Sequence, residues 1–224
     1  MIKVREQKET RCNRERAATG SNAGNAVSAS DLSSYSFTST AIGTAATGRL
    51  VVVVGYATAT GGTPDPDISS ITIAGVSGTV HAAAKLNAAT DATAFIASAV
   101  VDTGTTGTID VVWNKTVNRC GIVTYALYDL ASTTPTDTAT GTADAAALDV
   151  DTLADGIVVA LSGNVGTASA GWTGATEDVA VVIEGSVRLS AASATGVVAA
   201  TPRTVVADWS GTVASVASVA AAWR

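Results

Sequence analysis

The chain has 224 residues, of which 47% are hydrophobic but only 4% aromatic, so its apolar content is mostly alanine and valine beside abundant threonine and glycine. Valine and threonine suit pleated strands because branching at Cβ restricts χ1 there at little cost, and most helix-favouring residues other than alanine are scarce. Helices should therefore be few and short. No apolar run reaches the roughly 18 residues of a membrane-spanning helix, and no membrane partner is expected.

An extended N-terminal arm and linker is predicted for residues 1–47, with a first edge strand near residues 35–40. Residues 1–30 hold six basic and three acidic side chains, a net charge of +3, whereas the remainder holds 7 basic and 16 acidic side chains, a net charge of −9. We expect the arm to bind an acidic surface of a neighbouring copy or of another protein, and a solvated tail is the alternative. Removal of residues 1–30 should then leave the body folded. The basic residues are Lys3, Arg5, Lys8, Arg11, Arg14 and Arg16.

The body, residues 48–224, opens with RLVVVVGYA at 49–57, a continuous apolar run typical of a strand that is buried on both faces. The bulkiest stretch, Thr108 to Leu130, predicts a buried hairpin with a polar turn at residues 114–118. A long polar loop follows at 132–147, and then the strand GIVVAL at 156–161. The alanine-rich segment from Val213 favours a strand, with a short helix as the alternative.

About nine to eleven short strands joined by turn residues favour an all-β fold, an antiparallel two-sheet β-sandwich that is most simply a jelly roll. Nine side chains from the strongest apolar runs are predicted to form its centre. They are Val51, Val53, Ile109, Val111, Ile122, Tyr125, Ile157, Val159 and Val182.

No catalytic constellation is recognisable, and the chain is predicted not to be an enzyme. The only histidine, His81, lies in a strand with no serine, cysteine or carboxylate at a recognisable motif spacing. No phosphate-binding loop, nucleophile elbow or paired-cysteine metal motif occurs, and no cofactor is predicted.

Two acidic clusters are weak candidates for calcium, because hard cations bind several oxygens of one flexible loop. The stronger cluster is Asp149, Asp151 and Asp155, and the weaker one is Asp65 and Asp67. Aspartates that form turns before strands are the alternative, and no metal is favoured.

Trp172, in a glycine-rich loop, is a candidate aromatic for a glycan or a protein interface, together with Tyr56 and Trp209. The alternative is a tryptophan that plugs one end of the sandwich. The basic arm mixes glutamate with arginine and lacks interleaved aromatics, so no nucleic acid partner is expected.

Three features give residues 48–224 a resemblance to jelly-roll virion proteins of tailed bacteriophages, particularly head decoration (cement) proteins. They are the buried stretch 108–130, the opening strand Arg49–Val54, and GIVVAL followed about ten residues later by Gly-Trp. The resemblance implies a structural protein, assembled in the host cytoplasm into the virion, that binds the major capsid protein or other virion subunits. It also implies a homo-oligomer, a trimer most simply, that clamps a capsid lattice through its arms.

Two alternatives share this appearance. Phage tail and fibre proteins include glycan-binding and host-attachment modules, and surface-layer proteins are self-assembling, acidic and rich in threonine. The N-terminus lacks the apolar middle of a secretion signal, which counts against the surface layer.

Overall fold

The structure, a computed structural model, describes residues 17–62, 65–211 and 213–224. Those residues form 17 strands and no helix, which confirms the all-β prediction, and none of them belongs to a helix that could span a membrane. The first nine strands are β1 (Thr19–Ser28), β2 (Leu32–Ala41), β3 (Leu50–Thr60), β4 (Ile68–Ile73), β5 (Val76–Ser77), β6 (Thr79–Leu86), β7 (Thr90–Val100), β8 (Thr106–Val117) and β9 (Arg119–Tyr128). The other eight are β10 (Asp137–Gly141), β11 (Ala147–Thr152), β12 (Gly156–Gly166), β13 (Ala170–Thr173), β14 (Thr176–Glu184), β15 (Val187–Val197), β16 (Ala200–Trp209) and β17 (Val213–Trp223).

The strands form four antiparallel sheets in place of the two that the sequence predicts. The first half has an outer sheet, β2-β8-β4-β5, and an inner sheet, β1-β9-β3-β7-β6. The second half has an inner sheet, β10-β17-β12-β15-β14, and an outer sheet, β11-β16-β13. The two inner sheets pack on each other, with β12 against β3 and β17 against β7. The molecule is thus a stack of four layers, two sandwiches packed back to back.

Three main hydrophobic cores separate the four layers. The central core lies between the inner sheets and takes side chains from β3, β9, β12 and β17. Each half has a further core between its own inner and outer sheets. Strands of the inner sheets consequently bury both faces, and every residue of β3 except the last is buried. The run at residues 49–57 is continuously apolar because both faces of β3 pack against a hydrophobic core.

Eight of the nine side chains predicted for the core are buried, and they divide between two cores. The prediction for Val182 is wrong, because 45% of this residue is exposed on β14, the edge strand of its sheet, beside a register shift between Val182 and Glu184. The central core contains Tyr125, Ile157 and Val159, and the first-half core contains Val51, Val53, Ile109, Val111 and Ile122.

The hairpin predicted for the stretch from Thr108 to Leu130 is wrong in its pairing. Only Asn118 separates β8 from β9, yet β8 pairs with β2 and β4 in the outer sheet, whereas β9 pairs with β1 and β3 in the inner sheet. The predicted turn is shorter as well, since β8 continues to Val117. The chain crosses from one sheet to the other at this point.

Two strands precede residue 48 and belong to the same sheets as the body. β2 confirms the edge strand predicted near residues 35–40, but the linker expected before it is wrong over β1, which pairs with β9. Ala18 is only 3% exposed and belongs to the central core. Removal of residues 1–30 would delete β1, so the premise that this segment adds nothing to the core is contradicted.

The second half also departs from the predicted loops. β10 forms inside the segment expected to be a long polar loop, and it pairs with β17. The alanine-rich segment from Val213 is a strand, as favoured, and it lies between β10 and β12. Its alanines suit this position because small side chains allow close approach on both faces.

The two halves repeat one strand order. β10 takes the place of β1, β12 that of β3, β15 that of β7 and β17 that of β9, while β11-β16-β13 matches β2-β8-β4. The pairing register agrees too. In the first half, Leu50 pairs with Leu127 and Tyr56 pairs with Gly121. At the matched positions of the second half, Ile157 pairs with Trp223 and Gly163 pairs with Ala217.

Candidate functional site

The first described residues of the predicted arm lie at one end of the second half. The backbone N–H of Ala18 donates to the carbonyl of Asp155, in the turn between β11 and β12, at 3.2 Å. The start of the described chain is therefore fixed on the body. The basic residues Lys3, Arg5, Lys8, Arg11, Arg14 and Arg16 lie outside the described residues, and their contacts stay a prediction.

Two apolar side chains stand exposed beside this point. Leu153, in the β11–β12 turn, is 50% exposed, and Val198, in the β15–β16 turn, is 70% exposed. The turns are tied together, because the Thr152 hydroxyl donates to the Val198 carbonyl at 2.9 Å and the Asp155 N–H donates to the Val197 carbonyl at 2.9 Å. We call Leu153, Asp155 and Val198 the arm end, a surface that places exposed apolar groups next to the start of the arm.

The outer sheet of the second half presents carboxylates to solvent. Residues 131–224 hold nine acidic and three basic side chains. Asp149 and Asp151 alternate with buried residues along β11, so both project from the outer face, and Asp208 is exposed on β16. The Thr204 hydroxyl donates to Asp149 at 2.6 Å. This acidic face is complementary in charge to a basic segment.

The calcium candidates are not brought together by the fold. Asp149 and Asp151 project from β11, whereas Asp155 lies in the turn that follows it. In the weaker cluster, Asp67 forms an ion pair with Lys85 at 2.6 Å. Over residues 17–62, 65–211 and 213–224, no group of three or more histidine, cysteine, aspartate or glutamate side chains could hold a metal ion.

The aromatic platform considered for a glycan does not form. Tyr56 is buried in the central core, and Trp209 is buried on the other side of the second inner sheet. Trp172 is half-buried against the second-half core, and its indole N–H donates to the Ser190 hydroxyl at 2.7 Å. Ser190 in turn donates to Glu177 at 2.5 Å. Trp172 thus packs and bonds as a structural tryptophan does.

His81 has a serine partner that the sequence did not reveal. Its Nε2 lies 2.7 Å from the Ser98 hydroxyl, and its ring meets the edge of Trp223 with centroids 5.9 Å apart. Burial lowers the pKa of His81 below its usual 6.5, so the ring is neutral at pH 7. The described residues give it no carboxylate partner to complete a catalytic triad. The pairing of β6 with β7 brings His81 and Ser98 together, and no spacing in the sequence encodes that pairing.

A polar cleft of about 360 Å³ opens where the two halves meet, at the end formed by the β8–β9 turn. Arg119 organises it. The guanidinium forms ion pairs with Asp31 at 3.4 Å and with Glu184 of the second half, and donates to the Ala29 carbonyl at 3.0 Å. We call this the junction cleft. Its lining is Asp31, Thr58, Ala59, Thr60, Ala89, Thr90, Asn118, Arg119, Val165 and Val187.

Arg119 was not singled out in the sequence, although one signal pointed to it. It is the one charged residue of its strand, RCGIVTYALY at 119–128, and stands at the strand's start. A charge in that position needs partners from neighbouring segments, because an unpaired charge at a buried edge is costly.

Comparison of the chain with known protein families, with curated proteins and with solved structures gave no match. What the protein does is therefore inferred from its own residues and geometry.

Proposed function

We propose that the protein is a non-enzymatic structural protein of a virion, a decoration or cement protein that stabilises the head of a tailed bacteriophage. The observation that carries the proposal is the separation of charge along a fixed geometry. A segment with six basic and three acidic residues starts at the arm end of a body whose second half is acidic. We propose that this basic segment binds a neighbouring subunit and does not pack on the arm end of its own chain, which offers one carboxylate, that of Asp155.

The strand order supports a jelly roll in each half. With β5 and β6 counted as one strand that spans both sheets, the first half orders its eight strands 1-8-3-6-5 in the inner sheet and 2-7-4-5 in the outer sheet. Two interlocked Greek keys give four strands in each sheet, an arrangement found in viral capsid domains and also in lectins, and the first half differs from it in that strand 5 also extends the inner sheet. The second half has the same inner order, 1-8-3-6-5, and an outer order of 2-7-4, so its strand 5 pairs in the inner sheet alone.

Attachment needs more than charge. Exposed ion pairs contribute only about 0–1 kcal/mol each and weaken as salt rises. The exposed Leu153 and Val198 supply apolar area at the arm end, and Ile2 and Val4 supply it in the arm. We propose that the arm and the arm end together bind the major capsid protein or a neighbouring copy, and that the protein works as a homo-oligomer, a trimer most simply.

The test compares the full chain with residues 17–224, a truncation that spares β1. Each is mixed with empty capsid shells and sedimented at low and at high salt. The truncated protein should stay folded but lose most of its binding, and the binding of the full chain should weaken with salt. Undiminished and salt-independent binding by residues 17–224 would overturn the arm's role.

A matched variant separates the arm from the surface that receives it. Replacement of Asp149, Asp151 and Asp208 by asparagine removes charge from the acidic face without touching a core. If a neighbouring copy receives the arm there, these changes should weaken self-association while leaving the truncated protein unaffected. If the full chain self-associates equally with and without the three asparagine substitutions, the receiving surface is assigned to the capsid protein.

The second candidate, a glycan-binding or host-attachment module on a tail or surface fibre, is favoured by the junction cleft. Its threonine hydroxyls, Asn118, Asp31 and Arg119 offer donors and acceptors to sugar hydroxyls. The location of the protein discriminates the two functions. A regular lattice over the head supports cementing, whereas a few copies at a tail tip, or Arg119-dependent retention on a glycan array, would favour attachment. Sheets formed by the purified protein alone would favour a surface-layer-like role.

A further inference from the structure

Corresponding positions of the two halves meet across the central core. The inner-facing side chains of β3 and β12 run in step, since both strands have the same register against β9 and β17. The matched residues are Leu50 with Ile157, Val52 with Val159, Val54 with Leu161, and Tyr56 with Gly163. The first three pairs are nearly equal in size, whereas the last joins a large side chain to none.

The arrangement of the inner sheets is that of a twofold dimer. β12 packs on β3, its own counterpart, while β17 packs on β7 and β15 packs on β9. The order of strands is therefore reversed across the interface with the third strand of each half at its centre. This is the relation produced by a twofold axis that lies between the sheets and parallel to their strands, as in an isologous dimer.

Tyr56 breaks that symmetry. A Cβ atom on Gly163 would lie 2.1 Å from the ring of Tyr56, far inside any real contact. The ring is fully buried, and its hydroxyl donates across the interface to the carbonyl of Ser215 at 2.5 Å. A tyrosine at both matched positions would place a second ring in the same space, and a glycine at both would leave a hole.

We infer that the chain consists of two copies of one sandwich fold, covalently joined and packed as a dimer. We further infer that the two inner sheets bind each other in preference to copies of themselves. The inner sheet of the first half accepts the inner sheet of the second half and rejects a copy of itself. Tyr56 against Gly163 sets that preference. This inference does not depend on the proposed function, but it leaves only the outer sheets, the edges and the ends of the molecule for binding partners.

The test starts from the folded full chain with a protease site inserted between Thr133 and Thr134, in the exposed connection between the halves. After cleavage, size-exclusion chromatography and native mass spectrometry should find the two fragments in a 1:1 complex of the original size. Free folded fragments, aggregated fragments, or first-half homodimers that form as readily as the 1:1 complex would each overturn the inference.

Two variants assign the preference to the named contact. Gly163→Tyr should weaken the association of the cleaved fragments at least 10-fold, and Thr173→Tyr, on the exposed outer sheet, should leave it unchanged. The milder Gly163→Ala serves if Gly163→Tyr fails to fold. It should lower the melting temperature in the parent but not in a Tyr56→Ala background. An equal loss in both backgrounds would show that Tyr56 does not set the fit.

Discussion

The two halves close the same end of the sandwich by different chemistry. In the first half, the buried guanidinium of Arg49 donates to four carbonyls, those of Gly43, Val101, Thr103 and Gly104, at 2.8–2.9 Å. In the second half, Gly156 occupies the corresponding position. The turn itself is closed alike in both halves, because the N–H groups of Arg49 and Gly156 donate to the Ala46 and Leu153 carbonyls, each at 3.1 Å. The second half joins its two loops through the backbone, from the Asp155 N–H to the Val197 carbonyl at 2.9 Å.

The difference shows that a repeated fold leaves the sequences of its loops free to vary. The strand order and the central core are shared, but the loops need only satisfy their own backbone groups. One half uses a single charged side chain as a hub for two loops. The other joins its loops by the Asp155 N–H and the Thr152 hydroxyl, and Leu153 and Val198 are exposed there.

The largest predicted effect breaks the hub in the first half. Arg49→Met should lower the free energy of unfolding by about 3–5 kcal/mol, because four carbonyls lose a charged donor in a buried site. Arg49→Lys should recover only part of this, since one ammonium group cannot reach both loops. The control in the second half is Arg188→Met, which removes the bond that Arg188 Nε donates to the Gly166 carbonyl at 3.1 Å and should cost about 1 kcal/mol. Urea denaturation gives the values, and equal losses for Arg49→Met and Arg188→Met would contradict the hub.

A second prediction concerns a buried charge that only the first half contains. Asp91 is fully buried and forms an ion pair with Lys115 at 3.2 Å, while the second half has Gly211 in the position that matches Lys115. Lys115→Met should cost about 2–3 kcal/mol, because it leaves the carboxylate unpaired in the interior.

The control for this pair is the exposed ion pair of Lys85 with Asp67. Lys85→Met should change stability by less than about 1 kcal/mol, because exposed pairs are screened by solvent. If both lysine variants lose the same stability in thermal and urea unfolding, the buried pair does not distinguish the first half.

Much of the fold follows from the sequence, but the number of layers does not. Valine-rich and threonine-rich runs predict strands without helices, and eight of the nine core residues are buried. A two-sheet sandwich buries one face of each strand, so the continuous runs at 49–57 and 156–161 already called for sheets covered on both sides.

The repeat and the pairing of strands were harder to predict. The pattern W-x-x-T-V occurs at 113–117 and again at 209–213, each time next to the start of the last strand of a half, and it is a short sequence signal of the duplication. Strands that are adjacent in sequence, such as β8 and β9, lie in different sheets because the chain crosses the sandwich at Asn118. Local patterns do not distinguish such a crossing from a hairpin.

Site residues were predicted least well, because they depend on long-range contacts. Arg119 joins Asp31 and Glu184 from segments distant in the chain, and His81 meets Ser98 only through sheet pairing. The binding of a partner by the basic residues of the arm remains a prediction.

A smaller effect is predicted where the halves touch through a tyrosine. The Tyr125 hydroxyl donates to Asp178 of the second half at 3.0 Å, and burial raises the pKa of the phenol, so it keeps its proton. Ala221 holds the corresponding position in the second half. Tyr125→Phe should cost about 1 kcal/mol. Tyr128→Phe, which removes an exposed bond to the Thr44 carbonyl at 2.9 Å, should cost less, and the reverse order would contradict the role of Tyr125 between the halves.

The smallest prediction is a pH dependence from His81. Because burial holds its pKa below 6.5 in the folded state, the unfolded chain binds a proton more readily. The stability that His81 contributes is complete above about pH 6.5 and falls as the pH drops below that value. The stability difference between the parent and His81→Asn should therefore be larger at about pH 8 than at about pH 5. A constant difference in urea denaturation at the two pH values would show that His81 titrates alike in both states.

Amide hydrogen exchange on the full chain tests most directly whether the two halves share one core. If the inner sheets form a common interface, the amides of β3 and β12 should exchange slowest and at similar rates, through the same global opening. The outer sheets should exchange faster in both halves. Exchange of β12 well before β3, or of β3 well before β12, would mean that one half opens while the other stays closed, and would contradict a shared core.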